Sequence, residues 1–169
     1  MIDPIEFLEQ AHLRQAALCD ALERIADGLP DDIDAELCAS VVTELVVDMP
    51  RHHRDEEEGL FPLLEARARS DDNVAAHLAL LRFEHATDES YAEELNDVLT
   101  ALSVGQRPEN PDMIGYMLRG FFESYRRHLK WENLVLLPLA RERLTGADLT
   151  TLTDVIRAHR EDMPAVIAH

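Results

Sequence analysis

The chain has 169 residues, 46% hydrophobic and 30% charged, which suits one globular domain with its own core. Asp and Glu total 34 against 16 Lys and Arg, giving a formal charge of −18; a field of that sign repels phosphate backbones and anionic membranes, so neither nucleic acid nor membrane is expected as a partner. No apolar run approaches membrane-spanning length and no cationic, apolar leader opens the chain, so a cytoplasmic location is expected.

From Asp3 to about Asp27, Ile5, Leu8, His12, Cys19, Leu22 and Ala26 recur at helical spacing, with Asp3-Pro4 as cap and first turn and Gly28 and Pro30 as the stop. His12 lies in that stripe and therefore points inward. A lone inward histidine is more often a hydrogen-bonded core residue than a ligand. Cys19 and Cys38 show no metal or redox spacing and read as buried free thiols.

A second helix is expected from Asp31-Asp32 through Leu37, Val41 and Leu45 to near Arg69. It carries Arg51-His52-His53-Arg54-Asp55-Glu56-Glu57-Glu58-Gly59-Leu60-Phe61-Pro62, in which Glu56 falls in azimuth between His52 and His53. A carboxylate flanked by two imidazoles can face one ion with each oxygen. Asp48, one turn before His52, either accepts the second imidazole proton or is a plain surface acid. Asp55, Glu57 and Glu58 continue around other faces, and at least two of them are expected to be solvated. Pro50 and Pro62 each remove a backbone donor, so bends are expected there.

A third helix, about Asp72 to Leu102, presents Val74, Leu78, Leu81, His85, Asp88, Ala92, Leu95, Leu99 and Leu102 as an unbroken bundle seam. His77 is turned away from His85 and reads as a rim residue. After a loop over Ser103 to Pro111, a fourth helix from about Asp112 to Leu144 places Ile114, Met117, Phe121, Tyr125, His128, Glu132 and Val135 inward. Gly146 precedes a short terminal helix, about 147–164, with His159 and His169 expected at frayed or tail positions.

Four long helices with short links define an all-α, antiparallel up-down-up-down four-helix bundle over about residues 3–144, with a short extra C-terminal helix, and one domain over residues 1–169. His128 and Glu132 repeat the His52–Glu56 spacing, and both segments place a proline six residues after the glutamate. One such pair is ordinarily a solvated i,i+4 contact; two in register with their prolines are not. His12, His52, His53, His85 and His128 then converge with Glu56 and Glu132 as a dinuclear metal site, because buried imidazoles and acids at that density need ions or a closed polar network.

These residues carry a resemblance. His12, the His52-His53-x-x-Glu56-Glu57-Glu58-x-Leu60-Phe61-Pro62 block, Glu84-His85, and His128-x-x-x-Glu132 followed by Leu137-Pro138 make the chain similar to the hemerythrin-like family, the HHE cation-binding domain, over residues 4 to 144. The resemblance implies a non-heme, carboxylate-bridged di-iron centre with a bridging oxo or hydroxo group, which binds or senses dioxygen, nitric oxide, peroxide or iron itself. Manganese or zinc would suit the same ligands. The oxygen carriers of that family have a His-x-x-x-His on helix three, where this chain has Leu81 and His85, so His53 is the candidate replacement. That departure argues against oxygen carriage. It gives one ion His12 and His52, the other His53, His85 and His128, with Glu56 and Glu132 bridging. Phe61, Phe121, Tyr125 and Trp131 are the expected apolar and aromatic neighbours of the open ion. The expected partner is a small diatomic or peroxide, the competing readings are an enzyme consuming peroxide or nitric oxide and an iron-handling protein, and the oligomeric state is left open.

Overall fold

The computed structural model describes residues 3–161, which form five helices and no strand: α1 (Pro4–Gly28), α2 (35–67), α3 (Val74–Ser103), α4 (111–143) and α5 (Gly146–Glu161). The starts of α1, α2 and α4 have a local cause in a capping side chain. Asp3 Oδ1 accepts from the amides of Ile5 (2.7 Å) and Glu6 (3.3 Å), and Asn110 Oδ1 accepts from Met113 (3.0 Å). The cap of α2 is Asp34, bonded to the Leu37 amide at 2.9 Å, so α2 begins three residues later than the acid pair Asp31-Asp32 suggested.

The first four helices close into a bundle in which α1 packs chiefly on α4 and α2 on α3. Its interior is layered. One end holds an apolar cluster including Leu18, Leu22, Leu45, Leu95 and Phe121; the other holds Ile5, Leu8, Leu60, Leu78 and Leu137. Between them lies a level of buried polar side chains: His12, His52, His53, Glu56, His85, Asp88, His128 and Glu132.

Three stretches widen from α to π winding: Glu44–Asp48, Asp55–Leu60 and Glu132–Leu136. In each, the amide five residues after a glutamate returns to that glutamate's carbonyl: Met49 to Glu44, Phe61 to Glu56, Leu137 to Glu132. The next residue is a proline every time, Pro50, Pro62 and Pro138. A proline ring collides with the carbonyl four residues back and offers no amide hydrogen, and one wide turn relieves both conflicts without ending the helix. The six-residue glutamate-to-proline interval is thus a π-turn signature, and at Glu56 and Glu132 it carries a site residue. The extra residue also shifts the register, so Leu136 and Leu137 are buried while Val135, expected inward, is 38% exposed.

α5 is not a frayed tail. His159 is 6% exposed, with Nδ1 2.8 Å from Asp55 Oδ1 and Nε2 3.0 Å from Glu58 Oε2, while Arg160 grips both oxygens of Asp55 at 2.7 and 2.6 Å. Leu152 and Ile156 of α5 join the apolar cluster around Leu60 and Phe61. Gly59 permits the approach, since a Cβ there would lie 2.8 Å from Leu152 Cδ1. These partners lie about a hundred residues apart, beyond the reach of periodicity. His169 and the last residues of the expected terminal helix fall outside the described segment.

Candidate metal centre

Four helices deliver the site side chains to one level: His12 from α1, His52, His53 and Glu56 from α2, His85 from α3, and His128 and Glu132 from α4, all buried. Two groups of mutually close donor atoms result, His12 with His52, Glu56 and Glu132, and His53 with His85 and His128. Among the described residues these are the clusters with the spacing of a metal site. All seven residues singled out in the sequence are therefore brought together.

The carboxylates straddle the two groups. Glu132 Oε2 is 3.3 Å from His12 Nε2, and its Oε1 lies 3.1 Å from His128 Nε2 and 3.7 Å from His85 Nε2. Glu56 Oε1 is 3.4 Å from His12 Nε2, while Oε2 is 3.4 Å from His52 Nε2 and 3.5 Å from His85 Nε2. None of these approaches makes a hydrogen bond: Nε2 of His12, His52, His85 and His128 and both oxygens of Glu56 and Glu132 are buried without a hydrogen-bond partner. Two donors bound at right angles to an ion about 2.1 Å away stand about 3.0 Å apart. Close packing of eight lone-pair atoms without hydrogen bonds is therefore what the edges of coordination polyhedra look like. A closed polar network would have paired them.

The outward ring nitrogens are paired. His12 Nδ1 bonds Asn133 Oδ1 (2.7 Å), His53 Nδ1 bonds Glu89 (2.8 Å), His85 Nδ1 bonds Glu57 (2.7 Å) and His128 Nδ1 bonds Glu84 (2.9 Å). With Nδ1 paired outward, each ring turns Nε2 inward, the atom a metal would take once any proton there is displaced. Sequence reasoning missed Asn133, Glu57, Glu84 and Glu89 in these roles. The available signal was adjacency, since Glu57, Glu84 and Asn133 each neighbour a site residue in the chain. Of Asp55, Glu57 and Glu58, at least two of which were expected to be solvated, Asp55 is fully buried, Glu57 is partly buried and Glu58 is exposed. His52 is the exception: Asp48 pairs with Arg51 at 3.0 Å instead, and His52 Nδ1 has no hydrogen-bond partner.

His53 differs from the other four rings. It stacks on His85 with centroids 3.9 Å apart, and its Nε2 accepts from the Tyr125 hydroxyl at 3.2 Å. Burial pushes its pKa down to about 4, so the ring is neutral. Tyr125 is fully buried, stacks on His128 at 5.5 Å, and burial lifts its phenol well above its ordinary value. Phe61 stacks on His85 at 5.9 Å, and Phe121 backs Tyr125, whereas Trp131 turns outward against His77, the rim residue.

Electrostatics match a cation site. Burial would lower His12, but the close approach and charge of Glu56 and the charge of Glu132 lift it to about 9. His128, likewise penalised by burial, is lifted to about 10, chiefly by Glu132. Burial and the charge of Glu132 push Glu56 up, while in Glu132 burial is outweighed by His128 and the carboxyl falls well below its usual range.

A bundle with buried imidazoles on four helices and two carboxylates spanning them defines a histidine–carboxylate metalloprotein. The description "Hemerythrin HHE cation binding domain" matches residues 3–140, and the chain belongs to that family. No curated protein and no solved structure matches it significantly. Membership makes this a metal-binding protein with histidine and glutamate clusters able to hold the ions. No described helix is long and apolar enough to cross a membrane.

Proposed function

We propose that the protein holds two iron ions and binds or senses a small molecule there, dioxygen, nitric oxide or peroxide. The observation that carries this is the set of eight inward nitrogen and oxygen atoms that are buried, close together and without hydrogen bonds. His12 and His52 would hold one ion and His53, His85 and His128 the other, with Glu56 and Glu132 shared between them. A pair of irons there would supply redox chemistry and a place for a small ligand. The protein's own contribution is to fix the imidazole tautomers of His12, His53, His85 and His128 through Asn133, Glu89, Glu57 and Glu84.

One observation favours turnover of peroxide or nitric oxide instead. Where His53 lines the centre without ligating an ion, Tyr125 donates to its Nε2 and its Nδ1 donates to the half-exposed Glu89, a continuous hydrogen-bonded path from the centre to the surface. Reactions that consume protons need such a path.

Metal analysis with anaerobic and aerobic absorption spectra of the purified protein tests the reading. Two irons per chain with a spectrum that reverses on oxygen cycling support binding; steady loss of peroxide or nitric oxide supports the enzyme; iron passing to an apo-acceptor supports iron handling. Less than one metal per chain after anaerobic reconstitution overturns all three. His53→Ala separates the two roles of that ring, because a ligand's loss removes one iron or shifts the spectrum and a lining residue's loss does neither.

A further inference from the structure

Outside the metal centre, the largest unexplained chemistry lies in the seam between α3 and α4. A cleft of about 480 Å³ opens there, a size suited to an organic ligand, with Leu80, Phe83 and Trp131 among its walls. Asp88 lines it too. This carboxylate is only 6% exposed, yet it makes no hydrogen bond or ion pair among the described residues. Burial lifts its pKa to about 6. On its own helix face Asp88 stands between His85 and the apolar Ala92 and Leu95, and neither His85 nor His128 hydrogen-bonds it, since their Nδ1 atoms pair with Glu57 and Glu84. The metal centre does not use Asp88, although His128 forms part of the same cleft.

We propose that this cleft is a second ligand site, beside the metal positions, that takes an organic ammonium ion with an apolar body, its nitrogen donating to Asp88 and its body lying against Trp131 and Phe83. Three features select that class. Asp88 is an acceptor without a donor, the indole and phenyl faces attract cations, and the charge of −18 concentrates cations around the protein. Arg127, exposed on the cleft and without an ion pair among the described residues, provides a partner for a carboxylate, so a zwitterion such as an aromatic amino acid fits as well as a simple amine. Occupancy would press on Glu84, which lines the cleft and holds His128 Nδ1, and so be felt at the metal ligands.

The test is calorimetric titration of the metal-loaded protein with phenethylamine, with phenylalanine and with 2-phenylethanol, which has the same body and no ammonium. Trp131 is the single tryptophan, so its fluorescence reports locally. Expected is saturable binding of one or both ammonium compounds, at least about tenfold tighter than the alcohol, lost in Asp88→Asn by a similar factor. Ser124→Phe, which fills the cleft from its exposed wall, abolishes the signal without touching Asp88. Equal binding of the alcohol, no binding at millimolar probe, or undiminished binding in Asp88→Asn with normal metal content overturns the proposal. Metal content measured on the same samples keeps this outcome separate from the di-iron reading.

Discussion

Replacing Asp55 by asparagine should destabilise the protein by about 2–4 kcal/mol, although the residue binds nothing and differs from its replacement by one atom. Asp55 is fully buried and receives three contacts from α5: His159 at 2.8 Å and Arg160 at 2.7 and 2.6 Å. Breaking a buried ion pair by removing one partner costs about 3–5 kcal/mol. The Arg160 side chain is 33% exposed and regains some water, which reduces the figure. The amide also points donors at a guanidinium that has only donors. Urea unfolding at constant metal content measures the loss, and for a chain of this length the midpoint temperature should drop by about 5–15 °C. In an Arg160→Met background the same change should cost at least about 1.5 kcal/mol less. A loss under about 0.5 kcal/mol, or an equal loss in both backgrounds, would refute the inference that α5 is clamped onto the Glu56 segment through this carboxylate.

Other outcomes follow from the same structure. Because the neighbouring glutamates lift His12 to about 9 and His128 to about 10, both rings are protonated at neutral pH before metal arrives. Loading should therefore release protons, and affinity should fall about tenfold per pH unit per displaced proton as pH drops below 9, read by titration in buffers of different ionisation enthalpy; a pH-independent affinity would contradict it. Glu84→Gln weakens the orientation of His128 and should lower metal affinity by about 10–100-fold with the fold intact, which competition with a chromophoric chelator measures. Arg143 holds the Asp72 carboxyl down to about 2, below its ordinary 3.8. The stability this pair adds is complete above about pH 4 and disappears as pH falls toward 2, so Arg143→Met should flatten the acid limb of the stability curve.

Much of the centre could be read from the chain alone because ligand spacing and helical period are both local. Along α3 the expected inward residues, Val74 through Leu102, are the buried ones without exception. Reading failed where winding or distance intervened. Val135 was misplaced because a π turn adds a residue that no fixed period anticipates. His159 was misplaced because its partners, Asp55 and Glu58, sit on another helix. Glu57, Glu84 and Glu89 look like any solvated acid until the ring nitrogen each one faces is known. Their role belongs to geometry between helices, and periodicity along one helix carries no trace of it.

The layering of the interior fixes how the helices may slide. Displace any one of them by a single turn and an imidazole or carboxylate slips from the middle stratum into leucine above or below, losing its counterpart and spoiling two levels at once. The ring of histidines and acids thereby works as a vernier for the bundle: it admits one alignment and penalises the adjacent ones before any ion is captured, so metal meets donors already standing at a common height.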